Sequence, residues 1–272
     1  MPLPQCAPLG YDQRLFTTNL AHAMPTLILT PRYTDDAQAL WKAATGLGWA
    51  VERLARWRVP PALQALREPV LYGEALFGPM LAAQLGIELL DPAEDWLVRL
   101  PSAYRRRAIA LTTLGQARQA AAPAFVKPPN DKSFPAAVYS GAELPTEYDD
   151  DMPVLVSEVV CWEKEFRCFI LERRLRTFSV YARAGQVQRE AGFHSTPDED
   201  AQVQAFIAGL LADPAVDLPA ATVVDVGLIA GVGWACVEQN AAWGAGIYGC
   251  DPGQVLAVLQ GASVRRADAN AG

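Results

Sequence analysis

Two hydrophobic rhythms divide the chain. In the first stretch, short apolar runs alternate with segments of helical period. Residues 26–30 form an apolar run that suits a buried strand. Residues 35–46 open on two aspartates and end on a glycine, the punctuation of a helix. Strands are predicted at 49–54 and 70–72, then a helix over 74–85 and a strand at 87–90. This strand–helix rhythm predicts a small α/β unit over residues 24–95. Residues 1–23 hold three prolines and no clear period, so they are expected to be a loose extension.

Beyond Asp91-Pro92 the rhythm changes. Strand patterns recur at 107–111, 124–127, 137–140, 154–159, 166–171 and 176–181, with few helices between them. That succession predicts an antiparallel sheet. A helix is expected over 198–211, two apolar strands at 222–229 and 234–238, and a closing helix at 252–259. The second region therefore runs over 96–265, and the fold class is α/β with α+β character.

Composition narrows the function classes. A net charge of -7 argues against a large nucleic-acid surface. No apolar run reaches the length of about eighteen residues that a membrane span needs. The five cysteines form no CxxC pair, and the N-terminus lacks a signal-peptide pattern, so a cytoplasmic protein is expected. Two histidines leave little for a histidine-based site. The basic residues are four lysines against nineteen arginines, and two of the lysines, Lys127 and Lys132, share one loop region.

Three segments carry candidate chemistry. Asp225 and Glu238 are acids inside apolar strands, where a carboxylate is costly unless paired or bound to a cation. Glu238 and Asn240 lie two apart and share a strand face. Together the three offer hard oxygen ligands for Mg²⁺, although each alone is equally well a locally bonded strand residue. Lys127 ends a strand before Pro-Pro-Asn-Asp-Lys132-Ser133. It can meet a phosphate, or simply extend into water from a strand end. Around Cys161–Lys164 a break between strands can offer backbone groups to an adenine edge. Glu165 beyond it can accept from ribose hydroxyls or pair with Lys164 or Arg167.

The order Lys127, Glu158, Glu165, Asp225, Glu238, Asn240 resembles the ATP-grasp superfamily, the fold of carboxylate–amine ligases. Glu158 and Glu165 are seven apart, Asp225 and Glu238 thirteen apart, and Glu238-Gln-Asn240 runs on into Ala-Ala-Trp-Gly244-Ala-Gly246. The resemblance covers residues 96–260. It implies two α+β subdomains clasping ATP behind the small N-terminal unit. It also implies that Lys127 contacts the phosphates, that Glu158 with the backbone of Val159 and Cys161 reads adenine, and that Glu165 holds the ribose. Asp225, Glu238 and Asn240 would bind Mg²⁺, with Mn²⁺ as an alternative.

By the same resemblance Arg167 and Arg183 stand where related ligases carry catalytic arginines. The family's earlier phosphate lysine is missing, and Arg107 is its candidate substitute. The usual glycine-rich flap is also missing, so Lys132 is the candidate to cap the phosphates. The implied reaction is activation of a carboxylate as an acyl phosphate for attack by an amine, on a small-molecule or peptide substrate. A kinase, a phosphotransferase and a non-catalytic ATP-binding module remain as alternatives, and so does a homodimer.

Overall fold

The computed structural model describes residues 24–130 and 132–266. The expected extension at 1–23 lies outside the described residues. β1 (Thr26–Leu29), β2 (Ala50–Arg53) and β3 (Pro69–Tyr72) form a parallel sheet in the order β2-β1-β3. β1 and β3 are buried along their whole length, as strands covered on both faces must be. α1 (Asp35–Gly46) lies on one face, its first turn capped by the Thr34 hydroxyl. α2 (Pro61–Gln64) is a single turn. On the other face α3 (Gly78–Leu85) packs Leu81, Ala82 and Leu85 against Ile28 and Leu71. This helix was expected from residue 74. It starts later because Pro79 suits a first turn and not a helix interior.

β4 (Ile87–Leu89) leaves this sheet. Two single turns follow, α4 (Trp96–Arg99) and α5 (Ser102–Arg105). β5 (Ile109–Thr113) leads through α6 (Leu114–Arg118) to β6 (Ala124–Lys127), β7 (Ala137–Tyr139) and β8 (Pro153–Ser157). These strands form an antiparallel sheet in the order β5-β8-β6-β7. β9 (Trp162–Leu171), β10 (Arg174–Arg183) and β11 (Gln186–Val187) precede α7 (Pro197–Ala212). With β12 (Ala221–Ile229) and β13 (Gly233–Asn240) they make a second antiparallel sheet, ordered β11-β10-β9-β12-β13. α8 (Pro252–Gln260) then returns the chain to the first unit, where β14 (Ser263–Arg265) pairs with β4.

The strand expected over 154–159 stops at Ser157, and the break falls at 158–161, with the next strand starting at Trp162. β8 and β9 belong to different sheets, so the chain must leave one ladder before joining the other. Glu158 N still donates to Ala108 O at 2.9 Å, and Cys161 O already accepts from Ala230 N at 3.0 Å.

The five-stranded sheet is buried on both faces. Phe169 and Val223 pack towards α8 and the N-terminal unit. Phe166, Cys168, Ile170, Val224, Val226 and Cys236 pack on the other side with Val203, Ile207 and Leu210 of α7. Among the described residues no helix is long and apolar enough to cross a membrane.

α7 is fixed to its face by one acid. Glu199 completes a capping box with Thr196, and it also accepts from Lys164 at 2.9 Å and from both terminal nitrogens of Arg183 at 2.6 and 2.8 Å. The Arg183 guanidinium beside it holds the Glu199 carboxyl well below its ordinary value. Glu199→Gln keeps a capping side chain and removes the charge. It should cost about 1–3 kcal/mol in urea unfolding at neutral pH. A depressed carboxyl stabilises above its unfolded value, so the gap from wild type should shrink as the pH falls below 4.5. A gap that stays constant through acid would count against the charge pairing.

Candidate active site

Three neighbouring strands bring one charged row together. Asp225 on β12 faces Arg167 on β9 to one side and Glu238 on β13 to the other. Asn240 lies two residues further on the same face. Asp225 is fully buried and Arg167 is only 7% exposed. Arg167 Nε meets Asp225 Oδ1 at 2.9 Å and Nη2 meets Oδ2 at 2.6 Å, a bidentate ion pair. The Asn240 amide donates to Asp225 Oδ2 at 3.2 Å and to Glu238 Oε1 at 3.0 Å. From the four-stranded sheet, Lys127 Nζ donates to Glu238 Oε2.

The electrostatics follow from this packing. Burial pulls the Arg167 guanidinium down, but Asp225 more than offsets it and holds the arginine above its ordinary value. Burial likewise pushes Glu238 up, yet Lys127 and the Asn240 amide outweigh it and hold the carboxyl at about 2. Arg167 is further fixed by Gly246 O, which accepts from Nη1 at 2.9 Å, and by the rings of Tyr248 and Tyr181 at 4.8 and 5.5 Å. Gly246 is needed for close approach, since a Cβ there would stand 3.3 Å from Asp36 Oδ2. That same oxygen accepts from Ile247 N at 3.0 Å and so joins α1 to the turn. Burial raises Tyr72, whose hydroxyl reaches Asp36 at 3.5 Å.

The expected residues divide into those that converge and those that do not. Asp225, Glu238, Asn240, Lys127 and Arg167 share the cluster. Glu165 lies on the same face of β9, bonded by the Tyr181 hydroxyl at 2.7 Å and raised by burial. Glu158 opens the crossing between the sheets, its carboxylate on Ala108 N at 3.3 Å. Val159 and Cys161 are exposed along that crossing. Lys132 is exposed in the loop between β6 and β7. Arg183 lies on the opposite face of the sheet, paired with Glu199, and does not join the cluster. Arg107 spends its donors on backbone carbonyls of Arg105, Cys236 and Val237. Tyr181, Tyr248 and Asp36 were not expected here. An aromatic two residues before an arginine, or an acid in a helix first turn, carries no distinguishing signal.

The donor set fits a divalent cation. Glu238 offers two carboxylate oxygens, and Asn240 offers an amide oxygen once its amide is turned over. Asp225 contributes less, because Arg167 and Asn240 already occupy three of its roughly four acceptor positions. Among the described residues no three His, Cys, Asp or Glu side chains gather to hold a metal, so the amide is a needed member of the set.

Residues 104–258 match an ATP-grasp domain family, the second of its clade, and the chain belongs to that family. No curated protein matches the sequence. The fold is similar to that of a RimK domain ATP-grasp protein from Sphaerobacter thermophilus DSM 20745, at 15% identity and a TM-score of 0.51, over 86% of this chain and 99% of that one. It is also similar to D-alanine–D-alanine ligase from Bacillus anthracis, at 14% identity and 0.50, over 92% and 100%. L-amino acid ligase from Bacillus licheniformis aligns at 12% identity and 0.53, over 90% and 76%. These likenesses establish the ATP-grasp fold.

Removing one partner of a buried ion pair leaves the other uncompensated. Asp225→Ala should therefore lose about 3–5 kcal/mol of stability in urea unfolding. Glu238→Gln, whose partner Lys127 can reach water, should lose no more than about 1–2 kcal/mol. Equal losses in the two variants would contradict the assignment of Asp225 as the anchor.

Proposed function

We propose that this ATP-grasp protein binds Mg-ATP between its four-stranded and five-stranded sheets and uses it to join a carboxylate to an amine. The observation that carries the reading is Lys127 from one sheet set against Glu238, Asn240 and the Arg167–Asp225 pair from the other. Lys127 then meets the nucleotide phosphates. The backbone of Glu158, Val159 and Cys161 reads the adenine edge, and Glu165 accepts from the ribose. Lys132 covers the phosphates from its loop. Lys127 and Arg167 balance Asp225 and Glu238, so the cluster is neutral as it stands. A triphosphate adds several negative charges to it, which favours entry together with a divalent cation. Glu238 and Asn240 hold that cation, with Asp225 beside them. Bound there, Mg²⁺ neutralises charge on the phosphates.

In the reaction, a substrate carboxylate oxygen attacks the γ-phosphorus and the bond to ADP breaks. The amine nitrogen then attacks the acyl carbon of the acyl phosphate, phosphate leaves, and the amine gives up a proton. The protein's work is positioning and charge stabilisation. Three of the five Arg167 N–H donors are used within the chain. The other two remain for charge that develops on the transferring group. Several proteins of similar fold are named ligases, and the Bacillus anthracis enzyme is known complexed with ATP. Their names support the ligase reading.

Hydroxylamine separates this reaction from simple phosphoryl transfer. With Mg-ATP and a panel of carboxylic acids, it should yield a hydroxamate together with ADP and phosphate. ADP formed without hydroxamate would point to a phosphotransferase instead. Lys127→Ala should weaken ATP binding about tenfold or more by calorimetry, the worth of a charged hydrogen bond. Unchanged affinity would remove Lys127 from the phosphate site.

A further inference from the structure

The run Tyr104-Arg-Arg-Arg107 looks like a basic cluster for phosphate, and its arginines turn to the backbone instead. Arg105 donates to Val98 O at 2.8 Å, and Arg106 to Ala103 O and Val232 O at 3.1 and 3.0 Å. Arg107 donates to Arg105 O at 3.2 Å, Cys236 O at 2.7 Å and Val237 O at 3.1 Å. The last two carbonyls belong to a β-bulge. Asp225 faces Glu238 while the next residue, Val226, faces Cys236, so Val237 is an extra residue on β13. In a regular strand successive carbonyls point to opposite edges, and one guanidinium cannot take two in a row. Here the bulge presents both to Arg107, along the outer edge of an edge strand.

The bulge decides where the site residues point. Cys236 packs in the core beneath α7, on the face away from Asp225. Without the extra residue Glu238 and Asn240 would follow the phase of Cys236 onto that face. With it, both lie beside Asp225. We propose that Arg107 is a positioning residue that fixes this change of phase by binding both carbonyls of the bulge. The proposal rests on the reading that Glu238 and Asn240 hold a divalent cation.

Arg107 is anchored at its other end as well. Its guanidinium lies 5.0 Å over the ring of Trp162, the first residue of β9 after the crossing at 158–161. Gly227 makes room for that ring, since a Cβ there would fall 2.6 Å from it. The neighbouring Ala108 exchanges bonds with Glu158, giving its carbonyl to Glu158 N and its amide to the carboxylate. One short segment therefore ties the base-reading crossing to the strand of the cation ligands. A lysine cannot replace the planar fork, because its ammonium is a point charge without two parallel donors.

The test compares Arg107→Lys and Arg107→Met with the wild-type chain. Mn²⁺ affinity is measured by electron paramagnetic resonance in the presence of a non-hydrolysable ATP analogue. Affinity for that analogue without metal is measured by calorimetry in EDTA. Amide hydrogen exchange of residues 234–240 is followed in the ligand-free chain. Both variants should lose about tenfold or more in Mn²⁺ affinity, the usual cost of a lost supporting partner. Both should exchange faster at the bulge and keep the metal-free nucleotide affinity within about twofold. A direct phosphate contact predicts another pattern, with metal-free affinity kept in Arg107→Lys and lost in Arg107→Met. That pattern, or unchanged Mn²⁺ affinity and exchange in both variants, overturns the proposal. Arg107→Lys keeps a cation at the position, so its result stands even where Arg107→Met fails to fold. A wild-type chain that binds the analogue but no Mn²⁺ would remove the metal reading, while the exchange of the bulge still tests the clamp.

Discussion

The Arg167–Asp225 pair is the constraint around which the second half of the chain is arranged. It sits in the middle of a sheet that is covered on both faces, where either charge alone would carry a desolvation penalty of several kcal/mol. Only a bidentate geometry with its remaining donors and acceptors satisfied makes such a pair tolerable. That requirement fixes the register of β9 against β12, since the two residues must stand opposite each other. It also recruits Asn240, the Gly246 carbonyl and the rings of Tyr181 and Tyr248. The turn after β13 is shaped by this demand, and through Ile247 N and Asp36 the N-terminal unit is seated on the same turn.

The excess of arginine over lysine has a structural reading. Arg53, Arg105, Arg106, Arg107, Arg118, Arg167, Arg173 and Arg265 all donate to backbone carbonyls, several to more than one. Arg173 alone takes the carbonyls of Leu211, Asp213 and Val216 at the end of α7. A planar fork of donors suits carbonyls at chain bends and strand edges, which regular ladders leave unpaired. Two of the four lysines have other partners: Lys127 and Lys164 meet carboxylates. A positively charged run in this chain is thus a poor guide to an anion site, whereas a lysine at a strand end is a better one.

The sequence rhythm was enough for the long elements because apolar period and burial coincide there. β1, β3 and β12 are continuous apolar runs, and α1 carries its own cap and acidic first turn. The one-turn helices α4, α5 and α6 escaped because a single turn has no period to detect. Asp225 and Glu238 were legible as acids set in apolar strands. Arg107 and Arg183 were not, and for a shared reason. Which face a strand residue occupies depends on every bulge between it and a known neighbour, and a bulge is a property of pairing rather than of one strand's sequence. In β10 the register shifts between Val180 and Ala182, so Tyr181 turns to Glu165 and Arg183 falls opposite Lys164, beneath α7. In β13 the shift has the opposite consequence and carries Glu238 onto the face of Asp225. One bulge removes an arginine from the cluster and the other delivers an acid to it.

The Lys127–Glu238 contact gives this arrangement its energetic logic. It ties the four-stranded sheet to the five-stranded one in the ligand-free chain, with both side chains partly shielded from water. An acidic group and a basic group held together across a cleft are each other's placeholder. A phosphate competes for the lysine and a divalent cation competes for the carboxylate. A ligand that brings only one of the two must break the pair and leave the other member unpartnered, at a cost of about 1–3 kcal/mol. A metal–nucleotide complex supplies both partners at once and leaves neither charge exposed. The contact therefore discriminates against a bare nucleotide and against a bare cation without any dedicated recognition element. It does so at the point where the Arg107-held bulge has aimed Glu238.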